Sequence, residues 1–588
     1  MLCPRQNGDR ESIMADYDLV IRGGTIVDGL GNPGAVGDLA VQDGRIAAIG
    51  RVDGRGREEI DATGRIVTPG FVDVHTHYDG QALWETRLAP SSNHGVTTVL
   101  MGNCGVGFAP CKPDQRDMLV AVMEGVEDVP EVVMTEGLPW NWETFPEYLD
   151  ALDARALDVD VATQLPHSAL RVFVMGARAA DHEPPNANDL AQMRALTTEA
   201  IRAGALGVST SRNLMHRTKA GELAPSLFSE EDELTALAHG LRDADDGVFQ
   251  IIPRVMGPAR DEFALMRRLA EAAGRPLSYS LLQMPAGDPA EWRASLDALT
   301  DARDAGLPIR AQVAPRPVGM FYGLDLSFHP FSMHPSFRPL LDRPLTDKVA
   351  AMRDPDFRAR LLAEQPEDSN PVSLATVKAF RFAYPMGETP DYEPDLADRI
   401  DNRAAALGLS AEEYAYDLLL EQDGRALLYQ PGANYRDGNL DAVHTMLAHP
   451  GTVVGLADGG AHYGMICDAS FPTFYLRRWT VDAAPGQRIA LETAVAALTS
   501  EPADMIGLGD RGRLTVGAKA DINIIDLAAL RLHNPSVVND LPAGGRRLRQ
   551  LADGYDATIV SGVVTYRGGT HSGALPGRLV RGARRLAA

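Results

Sequence analysis

Only four cysteines occur in 588 residues, Cys3, Cys104, Cys111 and Cys467. That is too few for a disulfide framework in so long a chain, and a reducing cytoplasm is the expected compartment. No run of eighteen apolar residues is present, so no transmembrane span is expected. Basic residues are scarce beside acidic ones, 56 against 80, for a net charge of −24. This argues against nucleic acid and anionic membrane as partners. Residues 1–16 lack the apolar stretch of a signal peptide and are expected to be a disordered leader, with Met14 an alternative start. No Gly-rich phosphate fingerprint supports an open doubly wound sheet.

What is present is ordinary globular material, 45% hydrophobic and 23% charged, long enough for a large domain and a smaller one. Residues 17–68 alternate apolar and polar between Gly and Asp turns, and the same texture returns over 512–572. Neither end has enough strands for a stable sheet, so a β-sandwich built from both termini is expected. Residues 573–588, with Arg578, Arg581, Arg584 and Arg585, are expected as a tail or a contact arm.

Between the ends, over 69–511, eight short apolar runs alternate with amphipathic helical patterns. The runs end at His77, Asn103, Pro166, Thr210, Ile252, Leu282, Val313 and Ala457. Such repetition predicts an α/β fold, a (β/α)8 TIM-like barrel. The long spacing before the last run predicts an insertion after strand seven, about 320–440, over the face where barrel enzymes keep their chemistry.

The first run closes in His75-Thr76-His77. Side chains alternate along a strand, so both imidazoles project to one side and make half of a divalent-metal site. Cys104, in Gly-Asn-Cys-Gly just past the second run, is either a buried small hydrophobe or a thiolate ligand. Asp458, in Ala-Asp-Gly-Gly-Ala-His after the eighth, is either a helix N-cap or a metal ligand and general base. His167 and Arg171 leave the third strand and His462 follows Asp458; each could touch substrate or brace a loop. Arg212, Arg217, Arg254 and Arg316 follow later strands, where a guanidinium could grip a substrate carboxylate.

Taken together, the segments 69–77, 95–105, 166–171, 204–211 and 457–462 resemble the metal-dependent amidohydrolases, and within them the N-acyl-D-amino-acid deacylase branch. The Asn-Cys-Gly motif discriminates, since Cys104 resembles that branch's replacement for a metal-bridging carboxylated lysine. The chain departs from the branch where histidines are expected at the ends of strands five and six. Gln250 and Gln283 are the only side chains of similar reach there, and neutral amides are poor zinc ligands. The resemblance therefore implies a mononuclear centre, one Zn2+ per chain, held by His75, His77, Asp458 and Cys104. Gln250, with His167, Arg171, Arg212, Arg254 and His462, is a candidate substrate-binding group.

The expected activity is hydrolysis of the amide C–N bond of an N-acyl-D-amino acid or related small amide, with Asp458 as general base. Cyclic-amide opening and hydrolytic deamination use the same parts and stay open, as does a metal-poor binding protein. The expected partner is a small-molecule amide; a homo-oligomer is left open.

Overall fold

The computed structural model describes residues 15–254 and 258–583. Nearly all of the expected leader (residues 1–14), together with Arg584 and Arg585, lies outside the described residues.

The two ends of the chain meet in one sheet. Its strands run in the order Thr570–His571, Val563–Arg567, Tyr555–Val560, Ile522–Ile525, Ile66–Pro69, Tyr17–Ile26, Ala35–Gln42 and Arg45–Gly50, with Gly56–Asp61 beside Tyr17–Ile26. The termini are joined where Ile66–Pro69 pairs antiparallel with Ile522–Ile525. Hydrogen bonding is continuous through all nine strands. Leu19, Ile21, Leu39, Val41, Ile522, Ile524 and Ile559 share a core under it, so each end buries the apolar face of the other.

The middle of the chain supplies eight parallel strands in sequence order: β1 (Phe71–Asp73), β2 (Val96–Met101), β3 (Asp160–Thr163, continuing as Leu165–Pro166), β4 (Gly207–Ser211), β5 (Val248–Ile252), β6 (Leu277–Ser280), β7 (Ile309–Val313) and β8 (Thr452–Val454). Each of the eight apolar runs falls on one of them. Strands β2 and β5 are buried at every position, as expected of parallel strands covered on both faces. β1 is shorter than its run and stops at Asp73. The chain beyond it stays paired, with Thr76 N–H donating to Leu100 O (3.1 Å) and His77 N–H to Gly459 O (2.7 Å). In return Asp458 N–H donates to His75 O at 3.1 Å, which sets the extensions of β1 and β8 side by side.

Helices run between the strands. The one over Ala187–Ala203 is started by Asn186, whose side chain accepts from Asn188 N and Asp189 N, and is stopped by Gly204 at φ 123°. Helix α1 (Arg116–Glu127) follows β2 and ends in Asp128 in the left-handed region. Residues 577–582, within the segment expected as a tail or a contact arm, are bonded along β3. Val161 N–H donates to Arg578 O (3.0 Å) and Val580 N–H to Val161 O (2.8 Å).

Between β7 and β8 stands a small unit. Its antiparallel strands Val318–Tyr322 and Tyr384–Pro385 flank Leu428–Ala433, over its own core of Tyr322, Phe331, Phe337, Phe357, Tyr416 and Leu419.

Candidate metal centre

His75 and His77 leave the C-terminal end of β1 and turn to one centre. His75 Nε2 lies 3.3 Å from Cys104 Sγ and 3.3 Å from Asp458 Oδ1. His77 Nε2 lies 3.6 Å from the same oxygen. Among the described residues, His75, His77 and Cys104 form the one group of three metal-type donors with all ligand atoms within 4.8 Å of one another.

Both loops that deliver Cys104 and Asp458 are tightly held. Asn103 Nδ2 donates to Leu100 O (2.9 Å) and Thr76 O (3.2 Å), and its Oδ1 accepts from Gln164 Nε2 (2.9 Å). Cys104 N–H donates to Gln250 Oε1 at 3.3 Å, and Gly105 N–H to Ser209 Oγ at 3.0 Å. Gly105 has φ 71°, and a Cβ there would sit 3.0 Å from Thr210 Cα; only glycine suits that approach. Cys104, Asp458 and His462 adopt φ of 57°, 49° and 51°, each strained by about 1 kcal/mol or more relative to ordinary backbone. Asp458 starts no helix, so the N-cap alternative falls away.

Two buried groups absent from the expectations hold the imidazoles from behind. Gln312 on β7 accepts from His75 Nδ1 at 2.7 Å, while its own amide donates to Ser278 Oγ at 3.1 Å. This leaves the His75 Nε2 lone pair facing the centre. Glu127, the last residue of α1, places Oε1 3.5 Å from His77 Nδ1 and Oε2 3.4 Å from His462 Nε2. Gln312 was findable, as a polar residue of the seventh apolar run. Glu127 carries no such signal, being one acid among many on an amphipathic helix. A third addition is His216, on the segment after β4. Burial first, then the positive fields of His462 and His77, pull it down to about 3.

The electrostatics follow from many ionisable groups in little water. Burial pushes Asp458 up, but His77, His75 and His462 around it outweigh this and hold it well below the usual carboxylate range. Burial lowers His77, yet Glu127, Cys104 and Asp458 raise it well above the usual histidine range. Burial pushes the Cys104 thiol up to about 12 and Glu127 up to about 7. A divalent cation would reverse the thiol's shift, because thiolate is the ligating form.

The residues fit such an ion. On the side facing the cluster, His77 Nε2 is buried without a hydrogen-bond partner, a costly state unless something binds there. Two imidazoles, a thiol and a carboxylate are the donor types zinc takes in tetrahedral sites.

The other candidates are placed differently. His167 gives Nδ1 to Thr210 Oγ1 (2.8 Å) and Nε2 to Glu233 Oε1 (3.0 Å). Arg171 pairs with the same Glu233. Arg212 spends its guanidinium on Glu262 and on Ser229 O. These three brace the fold, because a buried charge needs its partner inside the protein. Gln250 supports the Cys104 loop, with its Nε2 unpartnered. Gln283 bonds Asp437 and Arg436 N on the segment before β8 and does not enter the cluster. Arg254 is exposed at the end of β5. His462 does border the centre, with Nδ1 buried and unpartnered.

Residues 58–566 match the sequence profile of the amidohydrolase family. The N-acyl-D-aspartate deacylase of Alcaligenes xylosoxydans xylosoxydans is 28% identical over 582 residues, covering 96% of this chain and 95% of that one. Among solved structures, the N-acyl-D-glutamate deacylase of Bordetella bronchiseptica complexed with zinc and a phosphonate inhibitor superposes with a TM-score of 0.64 at 24% identity, over 96% of this chain and 99% of that one. A D-aminoacylase with a binuclear metal centre superposes with a TM-score of 0.63 at 23% identity, over 97% and 100%. These likenesses span nearly the whole molecule; at such identities the structural ones speak for the fold.

Proposed function

The chain belongs to the amidohydrolase family, hydrolases of C–N bonds other than peptide bonds, and from that premise we propose that it deacylates an N-acyl-D-amino acid or a closely related small amide. The observation that carries this reading is the convergence of His75, His77, Cys104 and Asp458 at the ends of β1, β2 and β8. We read the eight parallel strands as one (β/α)8 barrel, residues 69–511, with the centre at its mouth. The sheet of residues 17–68 and 512–572 is a second domain, and the unit at about 320–440 is an insertion over the mouth. D-Amino-acid substrates enter from the named relatives alone, which are deacylases of N-acyl-D-aspartate and N-acyl-D-glutamate.

His75, His77, Asp458 and Cys104 would hold one divalent cation, with zinc the best match to a thiolate and two imidazoles. Bound there, such an ion supplies Lewis acidity, polarising a carbonyl and lowering the pKa of water toward about 7. The residues do the rest. Gln312 fixes the His75 tautomer and keeps its Nε2 aimed inward. Asp458, held deprotonated by the imidazoles around it, takes the proton of the attacking water and passes it to the leaving nitrogen. One cation is proposed because β5 and β6 bring no histidine to the cluster, and Gln250 is occupied with the Cys104 loop. The D-aminoacylase whose binuclear centre shows one-metal activation and second-metal attenuation is compatible with one ion sufficing.

Metal analysis of protein purified without chelator tests the site, with one equivalent per chain expected; two tightly held ions would contradict it. Activity over N-acyl-D- and N-acyl-L-amino acids, cyclic imides and aminated heterocycles tests the reaction, and turnover of the heterocycles alone would overturn the deacylase reading. His75→Ala and Asp458→Asn should each lower kcat/KM at least 1,000-fold (about 4 kcal/mol); full activity in either rules out the mechanism.

A further inference from the structure

We propose that Glu127 is a positioning residue that fixes His77 for the cation. The inference rests on the reading of His75, His77, Cys104 and Asp458 as a cation site.

Glu127 is only 2% exposed, and no lysine or arginine forms an ion pair with it among the described residues. Its carboxylate is spent on two imidazoles, His77 Nδ1 at 3.5 Å and His462 Nε2 at 3.4 Å. A carboxylate buried that deeply is strongly unfavourable unless positive charge is supplied nearby, on the His77 ring or by a cation beyond it. The centre proposed for the mouth supplies it, one ring away. On the far side of the same imidazole, His77 Nε2 faces Asp458 Oδ1 at 3.6 Å. A carboxylate behind Nδ1 keeps the proton on that nitrogen and leaves the Nε2 lone pair for a metal, while making the ring a stronger donor.

The two imidazoles of the pair are thus backed unequally, His75 by a neutral amide and His77 by an anion. Glu127 also reaches the loop that carries Asp458. Its main-chain oxygen accepts the N–H of His462 while its side chain meets the ring of the same residue. The next residue extends the tie to the inserted unit, since the Asp128 carboxylate accepts from Ser327 Oγ at 2.8 and 2.9 Å and from Gly464 N at 2.9 Å. The C-terminus of α1 therefore gathers an imidazole of the centre, the loop beyond Asp458 and the insertion at one point.

The experiment compares wild type with Glu127→Gln, which keeps the shape and removes the charge. Zn2+ affinity is read by competition with a chromophoric chelator, and the Co2+-substituted protein by its visible absorption spectrum. Stability of the chelator-treated protein is read by urea unfolding. The expected result is Zn2+ binding weakened 10–100-fold, an altered Co2+ spectrum, and metal-free stability no lower than wild type. Glu127→Asp keeps the charge but withdraws it from the ring, so it should weaken Zn2+ binding too and serves if the amide variant does not fold. Unchanged Zn2+ affinity and spectrum in the variants would overturn the proposal, as would a loss of metal-free stability large enough to account for the weaker binding. A wild-type protein that binds no Zn2+ would instead overturn the cation-site reading beneath it.

Discussion

Replacing Glu233 with glutamine separates bracing from ligand binding at the end of β3. Glu233 is 1% exposed and meets His167 Nε2 at 3.0 Å and the Arg171 guanidinium. Burial pushes its carboxyl up, but His167 and Arg171 outweigh that and hold it at about 2 against an ordinary 4.5. That difference corresponds to about 3 kcal/mol of stability, in line with the ~3–5 kcal/mol typical of breaking a buried pair. The sign follows from a folded-state pKa below the unfolded one. The contribution is complete above about pH 4.5 and is lost as the pH falls toward about 2. Glutamine resembles the protonated acid, so the variant should lose nothing further at this site on acidification. Urea unfolding in the presence of chelator should show Glu233→Gln less stable by about 3 kcal/mol at pH 7, the gap shrinking to about 1 kcal/mol at pH 3. Metal content should be unchanged. A gap of equal size at both pH values would refute the electrostatic argument, and loss of metal would put His167 back at the centre.

Two further substitutions bear on the centre. Gln312→Leu removes the acceptor 2.7 Å from His75 Nδ1 and should weaken Zn2+ binding about 10–100-fold, measured by chelator competition; an unchanged affinity would mean that the His75 tautomer is set elsewhere. Cys104→Ser replaces a soft ligand with a neutral hydroxyl and should lower Zn2+ affinity at least tenfold (about 1.4 kcal/mol) while shifting the Co2+ spectrum; an identical spectrum would remove Cys104 from the ligand set.

The alternation of short apolar runs with helical patterns was enough to place all eight parallel strands, because a short run bounded by amphipathic helices on either side marks a strand even where it carries serine or threonine. The His75-Thr76-His77 spacing was legible for a related reason: two side chains one residue apart in extended chain share a face whatever surrounds them. Residues chosen by position after a strand fared differently. His167, Arg171 and Arg212 follow strands as functional residues do, yet Glu233 and Glu262, on helices well downstream in sequence, claim them.

The sequence by itself determined the order of elements, the pairing of imidazoles just beyond the first strand and the absence of histidine from the fifth and sixth. Those are local properties, carried by hydrophobic period and residue type. Only the tertiary structure decided that Asp458 and Cys104 reach the same imidazoles, that Gln312 and Glu127 stand behind them, and that Arg171 and Arg212 are already paired. Each of those contacts joins residues far apart in the chain. Whether a buried polar group is free or satisfied depends on what the fold brings against it, which no spacing along the chain records.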